Sequence, residues 1–432
     1  MAFNHVEAIE VLLFGNKVGV VAAETQLKNS FAFEYYPEWI AQGVSISPIH
    51  LPLKSGAQIF RNISQETWHG LPPAIADALP DHFGNALINA HLAQHNITSA
   101  EITPLDRLAY VADRAMGALE FKPAHSLTEE PEGVLDLANL VTAARDAVQG
   151  NTANDIESKK ALQSLLSVGV SAGGARAKAV INIDPTTHEL TAGHKHEAGK
   201  ESWLIKFDGV GKDSALGESQ QYGRIEYAYS LMAKDAGIEM PETHLLEEND
   251  RAHFMVRRFD RNDNGETEQE RKLHLQSLCA MDFVDFNLLR TNNYASLFAV
   301  IEHLALGESA RTETFRRMAF NYLAFNCDDH SKNFSFLMNE KGEWQLSPAY
   351  DVTFAYNAQS KWLREHLMGI DGKFSDVTLQ DLKRFADTYN IYYSRQVLKD
   401  IEEVLSNWSD YARQAKISAE ATSHIAEIIF NV

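Results

Sequence analysis

The chain has 432 residues, of which 45% are hydrophobic and 23% charged, and its formal net charge at pH 7 is −20. This composition predicts a globular protein of about two to four domains, and the acidic surface argues against tight nonspecific binding to nucleic acid or anionic membrane. The sequence has two cysteines, no signal-peptide pattern and no apolar run near the ~20 residues that span a bilayer. These features predict a cytoplasmic protein with no membrane contact.

The first part of the chain, residues 1–125, is predicted to be a β-rich domain. Loose alternation of apolar and polar residues indicates strands, and apolar residues one helical turn apart indicate a helix. The predicted elements are a hairpin around FGNK at 9–23, β-rich segments at 31–36 and 45–53, a helical stretch at 73–94 and a strand at 117–123. A charged, proline-containing connector at 128–133 follows.

Two further domains are predicted at 134–262 and 263–432. The middle domain is expected to contain helices at 134–148 and 154–167, a glycine-rich loop at 169–178, strands at 179–183 and 202–209, a helix at 219–236 and a strand at 255–261. From about residue 274 the pattern is mostly helical. The helices predicted there are 312–326, 378–389, 394–414 and 417–430.

The stretch FNCDDHSKNFSF, residues 325–336, places charged side chains between aromatic residues. Asp328 and Asn333 are five residues apart, and Asp351 follows 18 residues later. Phosphoryl transfer needs this set, because one carboxylate accepts the proton of the attacking hydroxyl while an amide oxygen and a second carboxylate hold Mg²⁺. His330 and Lys332 can meet developing negative charge. A solvated loop between two hydrophobic elements is the alternative.

The glycine-rich loop GVSAGGARAK is a candidate phosphate-binding segment. It is not a Walker A motif, because Ala175 stands where a lysine is required. Gly173 and Gly174 nevertheless allow backbone N–H groups to approach phosphate oxygens, and Arg176 and Lys178 add positive charge. The alternative is an ordinary turn before a strand.

Two strand segments carry further candidates. Lys206 lies in the apolar run WLIKF, and a buried lysine needs a negative partner, either ATP phosphates or Glu226 of the next predicted helix. The alternative for Lys206 is a side chain that reaches solvent from the strand end. In MVRRFDR, backbone groups at Arg257 and Phe259 could contact an adenine and Asp260 a ribose, although a plain strand is by far the better explanation of this segment taken alone.

These motifs occur in the order used by kinase-like folds, and together the chain resembles the HipA-type serine/threonine kinase toxins of bacterial type II toxin–antitoxin systems. The segments that carry the resemblance are ALPDHFGN (78–85), DRAMGALEF (113–121), GVSAGGARAKAVI (169–181), WLIKF (203–207), IEYAYSLMAKDAGIEMPE (225–242), VRRFDR (256–261), DDHSKNFSF (328–336) and SPAYDV (347–352). The resemblance implies an α+β, two-lobed kinase-like fold close to phosphatidylinositol kinases, with a β-rich N-terminal subdomain and an all-α C-terminal lobe.

The resemblance also implies site residues. Asp328 corresponds to the catalytic base, Asn333 and Asp351 to the Mg²⁺ ligands, and Ser171 to an autophosphorylated serine. The ATP-binding positions are Gly173, Gly174, Ala175, Arg176, Ala177, Lys178, Lys206, Glu226, Arg257, Arg258, Phe259, Asp260, His330, Lys332 and Tyr350. The chain departs from the family pattern at Asp329, where glycine is usual, and at Arg257, where an acidic residue is common.

The implied function is that of an ATP- and Mg²⁺-dependent protein serine/threonine kinase acting as a toxin. Its expected partners are a helix-turn-helix, HipB-like antitoxin, operator DNA through that antitoxin as a corepressor, and a protein substrate such as an aminoacyl-tRNA synthetase. Two alternatives stay open from the residues. One is a small-molecule or lipid kinase on the same fold, and the other is a nucleotide-binding corepressor without kinase activity.

Overall fold

The computed structural model describes residues 3–24, 29–125, 135–149, 162–166, 168, 176–193, 197–210, 221–248, 251–261 and 271–431. The predicted connector, most of the predicted helix at 154–167 and residues 169–175 of the glycine-rich loop lie outside these residues, and so do Ser171, Gly173, Gly174 and Ala175. Two compact units are present. The first comprises Met1–Gln220, Leu246–Leu275 and Met338–Glu343, and the second comprises Gln221–Leu245, Gln276–Leu337 and Trp344–Val432.

Two five-stranded sheets lie mainly in the first unit. One sheet has the order β4-β3-β2-β1-β5 and is built from β1 (Ala8–Leu13), β2 (Asn16–Ala23), β3 (Phe31–Tyr35), β4 (Gln58–Ile59) and β5 (Leu119–Lys122). The other has the order β7-β6-β8-β10-β9 and is built from β6 (Lys178–Ile183), β7 (Leu190–Ala192), β8 (Glu201–Lys206), β9 (Thr243–Glu248) and β10 (Arg251–Arg257). The predicted hairpin is confirmed, because Phe14 and Gly15 both have positive φ, as a tight two-residue turn requires.

Three helices of the first unit begin at a residue whose side chain accepts a capping hydrogen bond, namely Ser64, Asp81 and Thr103. The helices of this unit are α1 (Pro37–Ile40), α2 (Gln65–Trp68), α3 (Pro73–Ala76), α4 (His82–Gln94), α5 (Pro104–Val111) and α6 (Leu137–Gln149), with a 3₁₀ turn at Ser99–Glu101. The helical stretch predicted at 73–94 is broken near Pro80, which disfavours helix in the residue before it. Asp81 then starts α4 by accepting a hydrogen bond from the Gly84 N–H at 2.7 Å.

The second unit is mainly helical. Its helices are α7 (Tyr222–Asp235), α8 (Leu278–Met281), α9 (Tyr294–His303), α10 (Gly307–Leu323), α11 (Leu379–Thr388), α12 (Ser394–Ser406), α13 (Trp408–Gln414) and α14 (Ala419–Asn431). The core joins α7 and α13, because Tyr229 and Trp408 are fully buried with ring centroids 5.7 Å apart. The Tyr229 hydroxyl donates to the Ala324 carbonyl at 2.8 Å, which ties α7 to the end of α10.

The expectation of an all-α C-terminal lobe is wrong in one respect, because short strands interrupt the helices. One sheet has the order β11-β13-β14 and is built from β11 (His274–Ser277), β13 (Ser335–Met338) and β14 (Trp344–Leu346); β12 (Asn292–Asn293) pairs with β15 (Met368–Gly369) in parallel. All four residues of β13 are buried. Strands this short, or buried on both faces, show no alternation that would distinguish them from helical residues.

Candidate active site

The DDHSKN segment is positioned by the end of α10. The helix stops at Leu323, three residues earlier than predicted, and Phe325 adopts a left-handed backbone with φ +55° that turns the chain out of the helix. Residues 328–330 are extended or irregular, and a 3₁₀ turn at Ser331–Asn333 leads into β13. This loop is therefore held at both ends by regular structure.

The two adjacent aspartates have opposite environments. The Asp328 side chain is 49% exposed, whereas that of Asp329 is fully buried. A buried carboxylate needs hydrogen-bond donors. Asp329 accepts from the Tyr294 hydroxyl at 2.7 Å, His366 Nδ1 at 3.0 Å, and the backbone N–H groups of Leu367 at 2.8 Å and Met368 at 3.4 Å. Asp329 is therefore a structural residue, and of the two only Asp328 is accessible to a substrate.

The surroundings of Asp329 also affect the neighbouring titratable groups. Burial, together with the Asp329 charge, raises the pKa of the Tyr294 hydroxyl well above its usual value, so this tyrosine stays a donor. Burial and the carboxylates of Asp329 and Asp328 likewise raise the pKa of the Cys327 thiol. A protonated, buried thiol is a poor nucleophile, which argues against cysteine-based chemistry at this site.

Asn333 and Asp351 line one pocket. The Asn333 amide nitrogen donates to the Asp328 backbone carbonyl at 2.8 Å, and this contact turns the amide oxygen away from that carbonyl. Asp351 has φ +54°, a left-handed conformation that aspartate tolerates better than most residues and that often marks a functional position. The pocket is lined by Ile238, Arg317, Asn321, Asn326, Asp329, Asn333, Phe334, Ala349, Tyr350, Asp351 and Val352.

These oxygen donors suit Mg²⁺. The ion prefers carboxylate and amide oxygens and is usually held by one or two protein carboxylates together with substrate phosphates. Within the described ranges there is no group of three or more His, Cys, Asp or Glu side chains that could hold a metal ion by itself. An amide and a carboxylate on one pocket wall fit a metal that arrives with a nucleotide better than a permanently bound structural ion.

Tyr350, which lines the pocket, and the nearby His330 and Lys332 are held by local contacts. The Tyr350 hydroxyl donates to the Lys332 carbonyl at 2.7 Å and is also hydrogen-bonded to Ser335. The Lys332 ammonium lies 4.9 Å from the centroid of the Phe286 ring, and the His330 ring centroid is 5.6 Å from the same ring. Phe286 therefore restricts both basic side chains, a role that no sequence motif indicated.

A buried hydrogen-bond network, three of whose members line the pocket, was also missed by the sequence analysis. The Asn326 amide donates to Asn321 Oδ1 at 2.9 Å, the Asn321 amide donates to the Tyr294 hydroxyl at 3.0 Å, and that hydroxyl donates to Asp329. Asn321 gave no signal because it lies on an amphipathic helix, and His366 because it lies far along the chain in an unremarkable segment. These hydrogen bonds fix the backbone from which the Asp328 side chain projects.

In the first unit, Lys206 ends the buried strand β8, as predicted. It lies directly opposite Phe254 of β10 and opposite Lys178 of β6, and its ammonium is 5.7 Å from the Phe254 ring centroid. Lys178 is also buried, and its ammonium is 3.1 Å from the Asp81 carboxylate. Lys178 thus has a protein counter-ion, which its predicted place in the phosphate loop did not suggest.

The remaining predicted positions have varied surroundings. Arg176 is half-buried, and Ala177 is buried with its carbonyl accepting from the Phe207 N–H at 2.9 Å. Glu226 is buried in α7, and Phe259 is half-buried after β10. Arg257 forms an ion pair with Glu201 at 3.1 Å.

Asp260, which was predicted to contact a ribose, is surrounded by protein donors. Its carboxylate is fully buried and accepts from Arg258 at 2.7 and 2.9 Å, from Arg261 at 2.8 Å and from the Gly117 N–H at 2.6 Å. Burial alone would raise the pKa of Asp260, but the two guanidinium groups hold it well below its usual value. Asp260 and Arg258 therefore stabilise this segment, and their predicted nucleotide contacts stay a prediction.

No helix within the described part of the chain is both long and apolar enough to cross a bilayer.

Comparison with known proteins gives two family matches. A model described as HipA-like C-terminal domain matches residues 170–426, and one described as HipA N-terminal domain matches residues 9–122. Together these matches include most of the segments that carried the resemblance.

The individual proteins that this chain matches share limited sequence identity with it. A Haemophilus influenzae (strain Rd) protein named putative kinase is 30% identical over 139 residues, which is 29% of this chain and only 39% of that relative. The HipA chain in the HipA, HipB and operator DNA complex of Shewanella oneidensis MR-1 superposes with a TM-score of 0.67 at 15% identity, covering 98% of this chain and 94% of that one. This likeness shows a shared fold.

Proposed function

The chain belongs to the HipA family, and we propose that it is an ATP- and Mg²⁺-dependent protein serine/threonine kinase. One observation carries the proposal: Asp328 is exposed in the same segment whose Asn333 lines a pocket with Asp351, while the adjacent Asp329 is buried in structural hydrogen bonds. An accessible carboxylate beside two oxygen ligands is what phosphoryl transfer requires. A solvated loop has no need of the buried network that supports this segment.

In the proposed reaction, Asp328 accepts the proton of the acceptor hydroxyl as its oxygen bonds to the γ-phosphorus of ATP. The bond from that phosphorus to the β–γ bridging oxygen breaks, and ADP leaves with the electron pair. Asn333 Oδ1 and the Asp351 carboxylate would hold Mg²⁺, which when bound neutralises charge on the phosphates. Lys206 is proposed to contact the phosphates, and Lys332 and His330 to meet negative charge near Asp328.

The finer parts of the proposal rest on family membership. We propose that the fold is close to that of phosphatidylinositol kinases and that Ser171 is autophosphorylated, since a phosphate there adds about −1.5 to −2 charges to a glycine-rich loop. The predicted domain limits 1–125, 134–262 and 263–432, and the adenine contact at Arg257 and Phe259, remain predictions.

We also propose that the chain is the toxin of a toxin–antitoxin pair. The related Shewanella HipA forms a complex with HipB and operator DNA. An analogous antitoxin would be a basic DNA-binding protein, to which a chain of net charge −20 is attracted over long range. The phosphorylated target would then be a translation component such as an aminoacyl-tRNA synthetase.

The test uses Asp328→Gln, with Glu402→Gln, an exposed carboxylate on α12, as the matched control. Incubation with radiolabelled MgATP should show label transfer reduced about 10²–10⁴-fold in Asp328→Gln and unchanged in the control. MgATP affinity should stay within about threefold of wild type in both variants, because the base acts on the acceptor hydroxyl and not on the nucleotide. A threefold change in affinity corresponds to less than about 1.4 kcal/mol, the free energy of a tenfold change.

Three outcomes would contradict the proposal. Full label transfer by Asp328→Gln would show that Asp328 is not the base. Label found only in a small molecule or lipid would favour that class of kinase. A wild-type chain that binds MgATP but transfers no label favours a nucleotide-binding corepressor. Mass spectrometry of the incubated wild type locates the phosphate and tests Ser171 directly.

A further inference from the structure

The segment that carries Asp351 is tied to helix α10 by a series of hydrogen bonds within the second unit. The Ala349 N–H, two residues before Asp351, donates to the Glu239 carbonyl at 2.8 Å. The Glu239 N–H in turn donates to Oε1 of Glu313, a residue of α10, at 3.0 Å. Glu239 is therefore held through both of its backbone polar groups, and it links the segment before Asp351 to a side chain of a long helix.

Arg317 orients the carboxylate at the end of this series. Its Nε donates to the same Glu313 Oε1 at 2.7 Å, so the two residues form an ion pair one turn apart on α10, with the glutamate on the N-terminal side. The Arg317 side chain is 4% exposed and that of Glu313 is 15% exposed. Water and salt screen a pair this buried only weakly, so the Glu313 oxygen is held in place.

The hydrogen-bonded series ends at the pocket that contains the proposed metal ligand. Arg317, Ala349 and Asp351 all line this pocket, and so does Ile238, the residue before Glu239. Asp351 has φ +54°, and a non-glycine residue keeps a left-handed backbone only where the surrounding structure holds it there. The hydrogen bonds that fix the residues before Asp351 therefore help to set the direction of its carboxylate.

We propose, on the basis of the proposed Mg²⁺ role of Asp351, that Glu313 is a positioning residue for this metal ligand and that Arg317 orients Glu313. Mg²⁺ demands nearly ideal octahedral geometry, so a ligand that moves binds it less well. Groups that hold a metal ligand without touching the ion affect metal affinity for this reason. Without the Glu313 acceptor, Glu239 and then Ala349 lose their fixed positions, and the Asp351 carboxylate loses its orientation.

The test measures how much Mg²⁺ nucleotide binding requires, by titration calorimetry with ATP at a series of Mg²⁺ concentrations on the folded full-length chain. Glu313→Ala removes the acceptor and should raise the required Mg²⁺ concentration about fivefold, the size of effect that one hydrogen bond gives. Glu313→Gln keeps an acceptor oxygen and should stay within about twofold of wild type. The matched control is Glu302→Ala, which breaks an exposed ion pair with Arg311 and should also stay within about twofold.

A double variant distinguishes positioning of Asp351 from a general loss of structure. Asp351→Gly removes the ligand oxygens, and glycine adopts a positive φ without strain. If Glu313 acts through Asp351, adding Glu313→Ala to Asp351→Gly should not raise the Mg²⁺ requirement further. Where Glu313→Ala does not fold, Glu313→Asp takes its place, because its carboxylate is one methylene shorter and withdraws the acceptor.

The inference is overturned if Glu313→Ala needs no more Mg²⁺ than wild type, if Glu313→Gln shifts the requirement equally, or if the two shifts multiply in the double variant. These results leave the proposed function intact as long as Asp351→Gly alone raises the Mg²⁺ requirement. If Asp351→Gly has no effect, Asp351 is not a metal ligand, and this part of the proposed function is wrong together with the inference.

Discussion

The segments VRRFDR (256–261) and DDHSKN (328–333) were both predicted to contact a nucleotide, and each contains a fully buried carboxylate. Asp260 is held by two guanidinium groups that lie within two residues of it in the sequence. Asp329 is held by a hydroxyl, an imidazole and two backbone N–H groups that lie 35–39 residues away. The first carboxylate is compensated mainly by charge, and the second mainly by hydrogen bonds.

A second difference concerns accessibility. In DDHSKN the residue next to the buried carboxylate, Asp328, is 49% exposed, whereas VRRFDR has no second carboxylate. An acidic residue in a charged motif can therefore serve the fold or the chemistry, and burial with its partners distinguishes the two. Substitutions of Asp260 and Asp329 should cost stability, and substitutions of residues that face the pocket should cost function.

The largest effect on stability is expected for Asp260→Asn. Removing this charge takes a buried negative partner away from two buried guanidinium groups, which costs about 3–5 kcal/mol in the free energy of unfolding. Urea unfolding followed by tryptophan fluorescence measures it. The matched control is Glu201→Gln, which breaks the partly exposed pair with Arg257 and should cost at most about 1 kcal/mol. Equal costs for the two variants would contradict the assigned role of Asp260.

The same variant tests the pKa of Asp260. A folded-state pKa below the usual 3.8 means that the charged form stabilises the fold above that pH, and this stabilisation is lost as the pH falls toward the folded-state pKa. Wild type should therefore lose more stability than Asp260→Asn between about pH 5 and pH 2. Parallel pH profiles for the two proteins would show that this carboxylate is not preferentially charged in the folded state.

A smaller loss is expected for Asp329→Asn. The amide keeps an acceptor oxygen but loses the charge, so its donors are less well satisfied, at a cost of about 1–3 kcal/mol. Asp328→Asn is the control and should change stability by less than about 0.5 kcal/mol, because its side chain is half exposed. If Asp328→Asn destabilised the chain more than Asp329→Asn, the roles assigned to the two aspartates would be reversed.

The smallest effect is expected for Asp351→Asn, which should leave the fold intact. Losing one charged oxygen ligand should shift the Mg²⁺ concentration needed for nucleotide binding upward by about tenfold, or ~1.4 kcal/mol. Asp376→Asn is the control, because Asp376 has the same φ of +54° and is exposed. If the Mg²⁺ dependence of nucleotide binding were unchanged in Asp351→Asn, or shifted equally in the control, Asp351 would not be a metal ligand.

Much of the secondary structure followed from local sequence. The β1–β2 hairpin, α7 and the three predicted C-terminal helical segments appear close to their predicted positions, because each has either a turn signal or a long apolar stripe. Asn407 divides the segment at 394–414 into α12 and α13. The short strands β11–β15 were missed because two to four residues carry too little periodicity to be read.

The sequence by itself determined the order of the motifs and the closeness of Arg258, Asp260 and Arg261, since residues this near in the chain stay near one another, although it did not show that they pair. Tertiary structure decided which of Asp328 and Asp329 is buried and that Asp81 meets Lys178. The physical reason is that these outcomes depend on where packing places distant donors and charges. A carboxylate becomes structural when such partners surround it, and stays available for chemistry when they do not.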